Sequence, residues 1–410
     1  MREVGTADAA GAIGRAEAAL AEAVFRRVLP AELLPYFGAS FVRSHHLYDE
    51  FVYRLVLRVV RAAGLEAALR EIGTPEEIGA RAGLAPARAL VPLGWMLKLL
   101  AVRGVVEEAA AGPVDRFRAP APLPVLDPAP VREEQLRHDP SWRPAYVLAE
   151  TVAADYPAFL RGEVAGEEIL FSPRRLRLWV DYFSNDHGLY AVNNRVGAAA
   201  VARWLPREGG VILELGAGLG SGTLAVLERL AAVGRLGAIR EYRFTEFVPA
   251  FLRRGQQAVE ARYGGASRLS FGALDMNRPF GEQGVAPGSV AVVYAVNTLH
   301  VAHDLDFTLG EIRQALEPGG RLVASECVRP HPRRPLYAEF VFNLTETFRA
   351  PRLHPLYRPC GGFLTPEQWK AAIEAAGFVD IRFLPDLPRI RQDVPEFFVA
   401  AIGATKGVRS

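Results

Sequence analysis

The stretch Val211-Ile-Leu-Glu-Leu-Gly-Ala-Gly-Leu-Gly-Ser-Gly-Thr223 constrains this chain more than any other. Val211–Leu215 is apolar and strand-sized. It runs into a turn in which glycines alternate at Gly216, Gly218 and Gly220. Glycine reaches φ > 0 and lets backbone N–H groups approach a ligand closely. A helix is expected from Ser221 to Leu230, so the turn delivers a polar ligand to a helix N-terminus. The spacing is not the dinucleotide arrangement G-x-G-x-x-G. Its last place holds Ser221 counted from Gly216, or Thr223 counted from Gly218. Glu214 stands one residue before the strand ends. A carboxylate there suits a ligand with a cationic amino-acid tail better than a pyrophosphate. The glycines alone would fit any strand–turn–helix joint, so their weight depends on what lies downstream.

The chain has 410 residues, enough for two or three domains. Its 48 basic and 46 acidic residues leave a net charge of +2, which argues against a nucleic-acid partner. Two cysteines, Cys327 and Cys360, cannot build a disulfide framework or a zinc cage, so no metal is expected. Glu3, Asp8, Arg15, Glu17 and Glu22 interrupt the N-terminal region, which lacks the apolar core of a signal peptide. The longest apolar run, around Val290–Val296, is strand-sized, so no membrane span is expected. These features suit a cytoplasmic protein.

Residues 1–120 read as a helical and winged-helix domain. Helical spacing covers 11–70, most clearly Phe51, Leu55, Val59, Ala62, Leu65 and Leu69. Thr74-Pro-Glu-Glu77 is a helix start with an N-cap, a proline at N1 and a capping-box acid. A helix–turn–helix pattern over 76–102 and two short strands near 105–108 and 116–118 complete the expected wing. The helix over 86–102 is apolar with a single arginine, Arg88, and suits burial in a dimerisation module rather than a DNA groove. A homodimer is the reading; a DNA-binding regulator that senses its ligand is the lesser alternative. Residues 121–195 read as a proline-rich linker and helical cap, and 196–410 as the catalytic domain with a lid over 329–364. Strands and helices alternate from 211 onward, the pattern of a doubly wound α/β sheet. Strands are expected at 211–215, 241–246, 269–274, 289–296, 320–326, 379–384 and 396–402. Helices are expected at 221–231, 248–262, 304–316, 336–348 and 365–376.

Ligands in such sheets sit at the C-terminal strand ends. Glu214, Glu246 and Asp275 fall at the first three ends, and Met276 follows Asp275. Glycine turn and acids in this order resemble the class I S-adenosylmethionine (SAM) methyltransferases, whose fold is Rossmann-like with seven strands. The resemblance implies SAM as cofactor. Glu246 would accept from the ribose hydroxyls and Asp275 from the adenine amino group, with Met276 packing on the ring.

The fourth strand is expected to end in Ala295-Val-Asn-Thr-Leu-His300 and the fifth at Glu326. Adjacent parallel strands bring their ends together, so His300 and Glu326 can meet. A carboxylate on one imidazole nitrogen fixes the tautomer and raises basicity at the other. Asn297-Thr-Leu-His-Val-Ala-His-Asp-Leu with Leu316-Glu-Pro-Gly-Gly-Arg-Leu-Val-Ala-Ser-Glu326 resembles the C-methyltransferase domains of polyketide synthases. Phe244-Thr-Glu-Phe-Val-Pro-Ala-Phe-Leu is similar to that family's second motif. The resemblance spans roughly 170–330 and implies that His300 and Glu326 deprotonate the α-carbon of a β-ketoacyl thioester. Asn297 is placed with the cofactor residues. No ketosynthase, acyltransferase or carrier segment is visible, so a stand-alone enzyme of secondary metabolism is expected. Its small-molecule acceptor would be free or tethered to a carrier protein or coenzyme A. O-methylation of a phenol, enol or carboxylate needs the same base and is the second reading.

Ahead of the core, Tyr182, Asn185, His187, Tyr190, Asn193 and Asn194 suggest a segment that folds over the cofactor. Tyr190 is the candidate for a gate or a hydrogen bond beside the methyl group. Tyr182 is expected to pack between helices, and His303 to face solvent. Lid arginines between Arg329 and Arg358 either grip an anionic acceptor or make surface ion pairs. Phe340, Phe342 and Phe348 line an acceptor pocket or form the lid's own core.

Overall fold

The computed structural model describes residues 20–109, 114–264 and 268–407. The helical reading of 11–19, the charged positions Glu3 to Glu17 and the tip of the expected wing at 110–113 lie outside these residues. The chain divides into two compact units. One comprises residues 42–182 and 331–350. The other comprises residues up to 41, 183–330 and 351 onward.

The first unit is mainly helical. Helix α1 (Ala39–Ala62) enters it at Val42 and buries Phe51, Leu55, Val56 and Val59. Its expected continuation to Leu69 is broken at Gly64, which takes a left-handed φ of 75° before the short helix Leu65–Ala68. Helix α2 (Pro75–Arg81) begins with a reciprocal capping box between Thr74 and Glu77. Helix α3 (Pro86–Val102) follows at an angle of 118°. Its Leu93, Met96, Leu97 and Leu100 are fully buried. Strands β1 (Glu107–Ala109) and β2 (Arg116–Arg118) form an antiparallel ribbon with Glu107 opposite Arg118.

Helix α4 (Arg143–Leu160) supplies Tyr156, on which the Phe340 ring lies at 5.0 Å. Trp95 packs on Phe340 and donates its indole N–H to the Glu339 carboxylate at 2.9 Å. Removing these rings from water is what ties 331–350 to this unit. The single lid anticipated over 329–364 is therefore divided: 331–350 belongs here and 351–364 to the sheet unit. The single helix anticipated over 336–348 is two short ones, Glu339–Phe342 and Glu346–Arg349. Thr345 between them is extended, with ψ of 140°.

The second unit holds a seven-stranded sheet. Its strands are β3 (Gly210–Leu215), β4 (Ile239–Thr245), β5 (Leu269–Gly272), β6 (Val290–Val296), β7 (Leu316–Cys327), β8 (Phe378–Leu384) and β9 (Val399–Lys406). Their order is β5-β4-β3-β6-β7-β9-β8. β3 to β7 run parallel, and β9 lies antiparallel between β7 and β8. β3 and β6 are buried at every position, as strands covered on both faces must be. The doubly wound Rossmann-like sheet read from the alternation of elements is thus present. The helices are α5 (Gly188–Trp204), α6 (Ser221–Ala232), α7 (Pro249–Tyr263), α8 (Leu305–Ala315) and α9 (Pro366–Ala375).

The polar stretch 184–194 does not precede the core as a separate segment. α5 starts at Gly188, so Tyr190, Asn193 and Asn194 ride on a helix packed against β7 and β9. Gly197 permits close packing on the sheet, because a Cβ there would lie 3.0 Å from Ser325 on β7 and 2.4 Å from the Tyr294 hydroxyl on β6. Chain order reverses between β3 and β6. That reversal opens a crevice at the C-terminal strand ends. Among the described residues no single helix is long and apolar enough to cross a membrane.

Candidate functional site

The glycine turn occupies this crevice. Gly216, Gly218 and Gly220 all have left-handed φ, at 60°, 57° and 84°. A Cβ on Gly216 would lie 2.6 Å from Thr298, and one on Gly220 2.9 Å from Val259. A Cβ on Gly218 would meet nothing within 4 Å. The first and third glycines therefore serve packing, and the second borders open space at the start of α6.

The acids differ in what they face. Glu214 is only 2% exposed and turns inward. One of its oxygens, Oε2, accepts from the Tyr242 hydroxyl at 2.7 Å and from the Thr223 hydroxyl. Burial pushes its carboxyl up to about 7 against these hydrogen bonds. Glu214 thus braces the glycine turn from beneath through α6 and β4.

Glu246 lies just past the end of β4, at 7% exposure. Its Oε2 accepts from Gly218 N at 2.9 Å and its Oε1 from Val248 N at 2.7 Å. Burial raises its carboxyl above the usual range, while backbone N–H groups pull the other way. Asp275 lies farther out than anticipated, since β5 stops at Gly272. Its Oδ1 accepts from the backbone and side-chain nitrogens of Asn277, at 2.9 and 3.2 Å. Gln283 holds its backbone, donating to Asp275 O at 2.9 Å and accepting from Asp275 N at 2.8 Å. The Met276 carbonyl accepts from Thr308 at 3.0 Å.

His300 sits in a short 3-10 turn, Leu299–Val301, after β6. Its Nδ1 is 2.7 Å from Glu326 Oε2, with His300 4% and Glu326 0% exposed. The second oxygen of Glu326 accepts from Thr298 N at 3.1 Å and Leu299 N at 2.9 Å. The Phe363 ring lies 4.6 Å from the imidazole. Asn297, two residues before the turn, has a positive φ of 46°. Its Oδ1 accepts from Cys327 N at 2.9 Å and Asn193 Nδ2 at 2.6 Å, so the side chain's acceptor is committed to the fold. Tyr190 is half-buried on α5, packs edge-on against Phe183 at 5.0 Å and shares a hydrogen bond with Ser221. Burial raises its hydroxyl. Asn185 reaches the same helix start, donating to Ser221 O at 2.8 Å.

Several functional contacts had weak sequence signals. Asn297 is of the residue type that tolerates left-handed backbone, but nothing local requires it there. Asn193, Gln283 and Cys327 gain their partners only through sheet and helix packing. The lid arginines are occupied: Arg333 pairs with Glu108 and Asp115, Arg349 bonds Ala87 O at 3.1 Å, and Arg352 pairs with Asp304. Phe340 is core of the helical unit, and Tyr182 packs against Trp179 and Phe342 there. His303 is exposed. Among the described residues no cluster of His, Cys, Asp and Glu is placed to hold a metal ion.

Residues 213–322 match the model of a methyltransferase domain. The chain is 27% identical over 303 residues to the non-reducing polyketide synthase dpmpA of Macrophomina phaseolina, covering 72% of this chain and 13% of that protein. It is 30% identical over 244 residues to the polyketide synthase ThaG of Burkholderia thailandensis, covering 58% of this chain and 4% of that protein. The chain therefore spans only a small part of the length of these relatives. Among solved structures, the CurJ carbon methyltransferase superposes with a TM-score of 0.73 at 22% identity, covering 89% of this chain and 92% of that one. The C-methyltransferase domain of the citrinin polyketide synthase superposes with a TM-score of 0.67 at 17% identity, covering 93% and 99%. At these identities the structural likeness is one of fold.

Proposed function

We propose that this chain, which carries a class I SAM-dependent methyltransferase domain, methylates an acidic carbon of a small molecule, with a β-ketoacyl thioester as the acceptor class. The observation that carries the reading is the buried His300–Glu326 pair, 2.7 Å apart, at the ends of adjacent strands beside the glycine turn. The likeness to the CurJ and DszA carbon methyltransferases supports it, as do the polyketide synthases among the sequence relatives.

The residues of the crevice fit the cofactor. Gly218 leaves room where a side chain would intrude. Glu246 offers a buried carboxylate beside it that would accept from the ribose hydroxyls, and Asp275 and Met276 would hold the adenine. Glu214 contributes from below, by holding the turn. When bound, SAM supplies an electrophilic methyl group, and its sulfur retains the electron pair of the broken carbon–sulfur bond.

The chain's own part is to make the acceptor nucleophilic. Glu326 accepts a hydrogen bond from the Nδ1–H of His300, so Nε2 carries the basic lone pair. His300 takes the α-proton of the acceptor at Nε2, and the resulting imidazolium is held by Glu326. The carbanion's electron pair forms the new carbon–carbon bond. His300 then passes its proton to solvent when product leaves. A positioned base of this kind contributes roughly 10²–10⁴-fold. Asn297 and Tyr190 are assigned to the wall around the methyl group.

The acceptor is small and either free or carrier-linked. The test is incubation with methyl-labelled SAM and acetoacetyl-pantetheine, followed by mass spectrometry and NMR of the product. Label on the α-carbon is expected, and His300→Ala should abolish it while calorimetric SAM binding persists. Label on oxygen, or full activity of His300→Ala, would overturn the reading.

A further inference from the structure

Glu326 is not the only group that holds the His300 turn. On another side lies Arg358, whose residue is 1% exposed. Its Nη2 donates to His300 O at 2.7 Å and its Nη1 to Ala302 O at 2.6 Å. The turn's internal hydrogen bonds run to Thr298 O and Leu299 O, so the His300 and Ala302 carbonyls take no part in them and are open to another donor. The two nitrogens of one planar guanidinium bridge them, a span that a single ammonium group does not reproduce.

Arg358 is itself held. Its backbone pairs with His354 through two hydrogen bonds of 2.9 Å each. The His354 ring stacks on Tyr357 at 3.7 Å and 6°, and the Tyr357 hydroxyl bonds Asp306 in the first turn of α8. Arg352 N donates to His303 O at 2.6 Å, and Phe363 covers the imidazole. The strap 352–363 thus engages the His300 turn at its carbonyls, its flank and its ring.

A guanidinium in this position is costly. Its Nε finds no hydrogen-bond partner among the described residues, and burial pulls its pKa down to about 10, still cationic at neutral pH. A well-packed apolar residue of similar size is often as stable as a buried charge. Stability alone therefore does not account for arginine here, whereas fixing two particular carbonyls does.

We propose that Arg358 is a positioning residue for methyl transfer, locking the Leu299–Ala302 turn so that the His300 ring keeps its place between Glu326 and the acceptor. This rests on the reading of His300 as the base. A displacement of the base by about 1 Å costs on the order of 10²-fold in rate.

The experiment compares wild type, Arg358→Lys and Arg358→Met in the full chain. Three quantities are measured: SAM affinity by calorimetry, kcat and KM for acetoacetyl-pantetheine, and the imidazole signals of ¹⁵N-histidine-labelled protein. The His300 signals are assigned by their loss in His300→Ala. Expected are SAM affinity within threefold of wild type, kcat lowered on the order of 10²-fold in both variants with KM nearly unchanged, and displaced His300 signals with the remaining histidines unmoved. Wild-type kcat and unmoved His300 signals in Arg358→Lys would overturn the proposal. So would a broad loss of all histidine dispersion and of SAM binding in both variants, which would make Arg358 a general fold residue. If wild type fails to methylate the thioester, the functional reading fails, yet the His300 signals still decide the role of Arg358.

Discussion

Glu326 grips His300 twice. Its Oε2 lies 2.7 Å from the ring Nδ1, while its Oε1 accepts the N–H groups of Thr298 and Leu299, in the turn that carries that ring. Both oxygens of a fully buried carboxylate are thereby satisfied by one functional unit. Ring orientation, tautomer and turn position all depend on the same side chain.

Replacing Glu326 by Gln should separate these roles. With its oxygen on the two turn N–H groups, the amide presents its NH2 to Nδ1. His300 must then carry its hydrogen on Nε2, where it cannot act as a base. A loss of roughly 10²–10⁴-fold in turnover is expected, with SAM binding retained. Deuterium exchange at the α-carbon of acetoacetyl-pantetheine in heavy water reads the step directly. Wild-type exchange in Glu326→Gln would remove tautomer control from this residue.

Glu246, proposed to bind the cofactor, is joined to the glycine turn through Gly218 N. Glu246→Gln should weaken SAM binding by the worth of a charged hydrogen bond, about 1.5–3 kcal/mol, or roughly 10–100-fold. Its carboxyl is raised by burial. As pH falls through that raised value the carboxylate is lost, so SAM affinity should decline on acidification in wild type and stay flat in the variant. Calorimetric titrations across pH 4.5 to 7.5 would check both; parallel pH profiles would contradict the assignment.

Glu214 makes the opposite kind of prediction, about stability. Its carboxyl moves from 4.5 to about 7 on folding, because burial penalises the charge. A raised value means that the stabilising contribution is complete below 4.5 and is lost as pH rises through about 7. Glu214→Gln should therefore gain stability relative to wild type between pH 5 and pH 8, by about 3 kcal/mol at most. Urea unfolding of both proteins at the two pH values measures this difference. A constant difference would show that Glu214 does not titrate in this window.

Asn297 combines strained backbone with a structural side chain. Glycine at this position keeps the φ of 46° without penalty, whereas alanine costs about 1–2 kcal/mol there. Asn297→Gly should thus melt above Asn297→Ala, while both lose the bonds to Cys327 N and Asn193. Thermal unfolding ranks them, and the reverse order would show that the left-handed backbone at this position does not set the difference.

The sequence by itself determined the elements and their order. Strand–turn–helix at 211–231, the acids at or beyond the ends of the first three sheet strands and the capped helix start at Thr74 all follow from apolar periodicity, glycine placement and capping chemistry. Each of these is local, acting over a few residues, so it can be read without knowing what packs where. It could also be read that His300 and Glu326 fall at neighbouring strand ends. Only tertiary structure decided how side chains point and what holds them. Glu214, read as a ligand acid, turns inward because Tyr242 and Thr223 supply hydroxyls from β4 and α6. Residues 331–350, read as part of one lid, join the helical unit because Phe340 finds its ring partners there. Arg358, read among lid arginines that either grip an anion or make surface ion pairs, clamps the turn of His300 from 58 residues away. Such choices rest on burial and hydrogen-bond satisfaction between distant segments, and no local pattern encodes them.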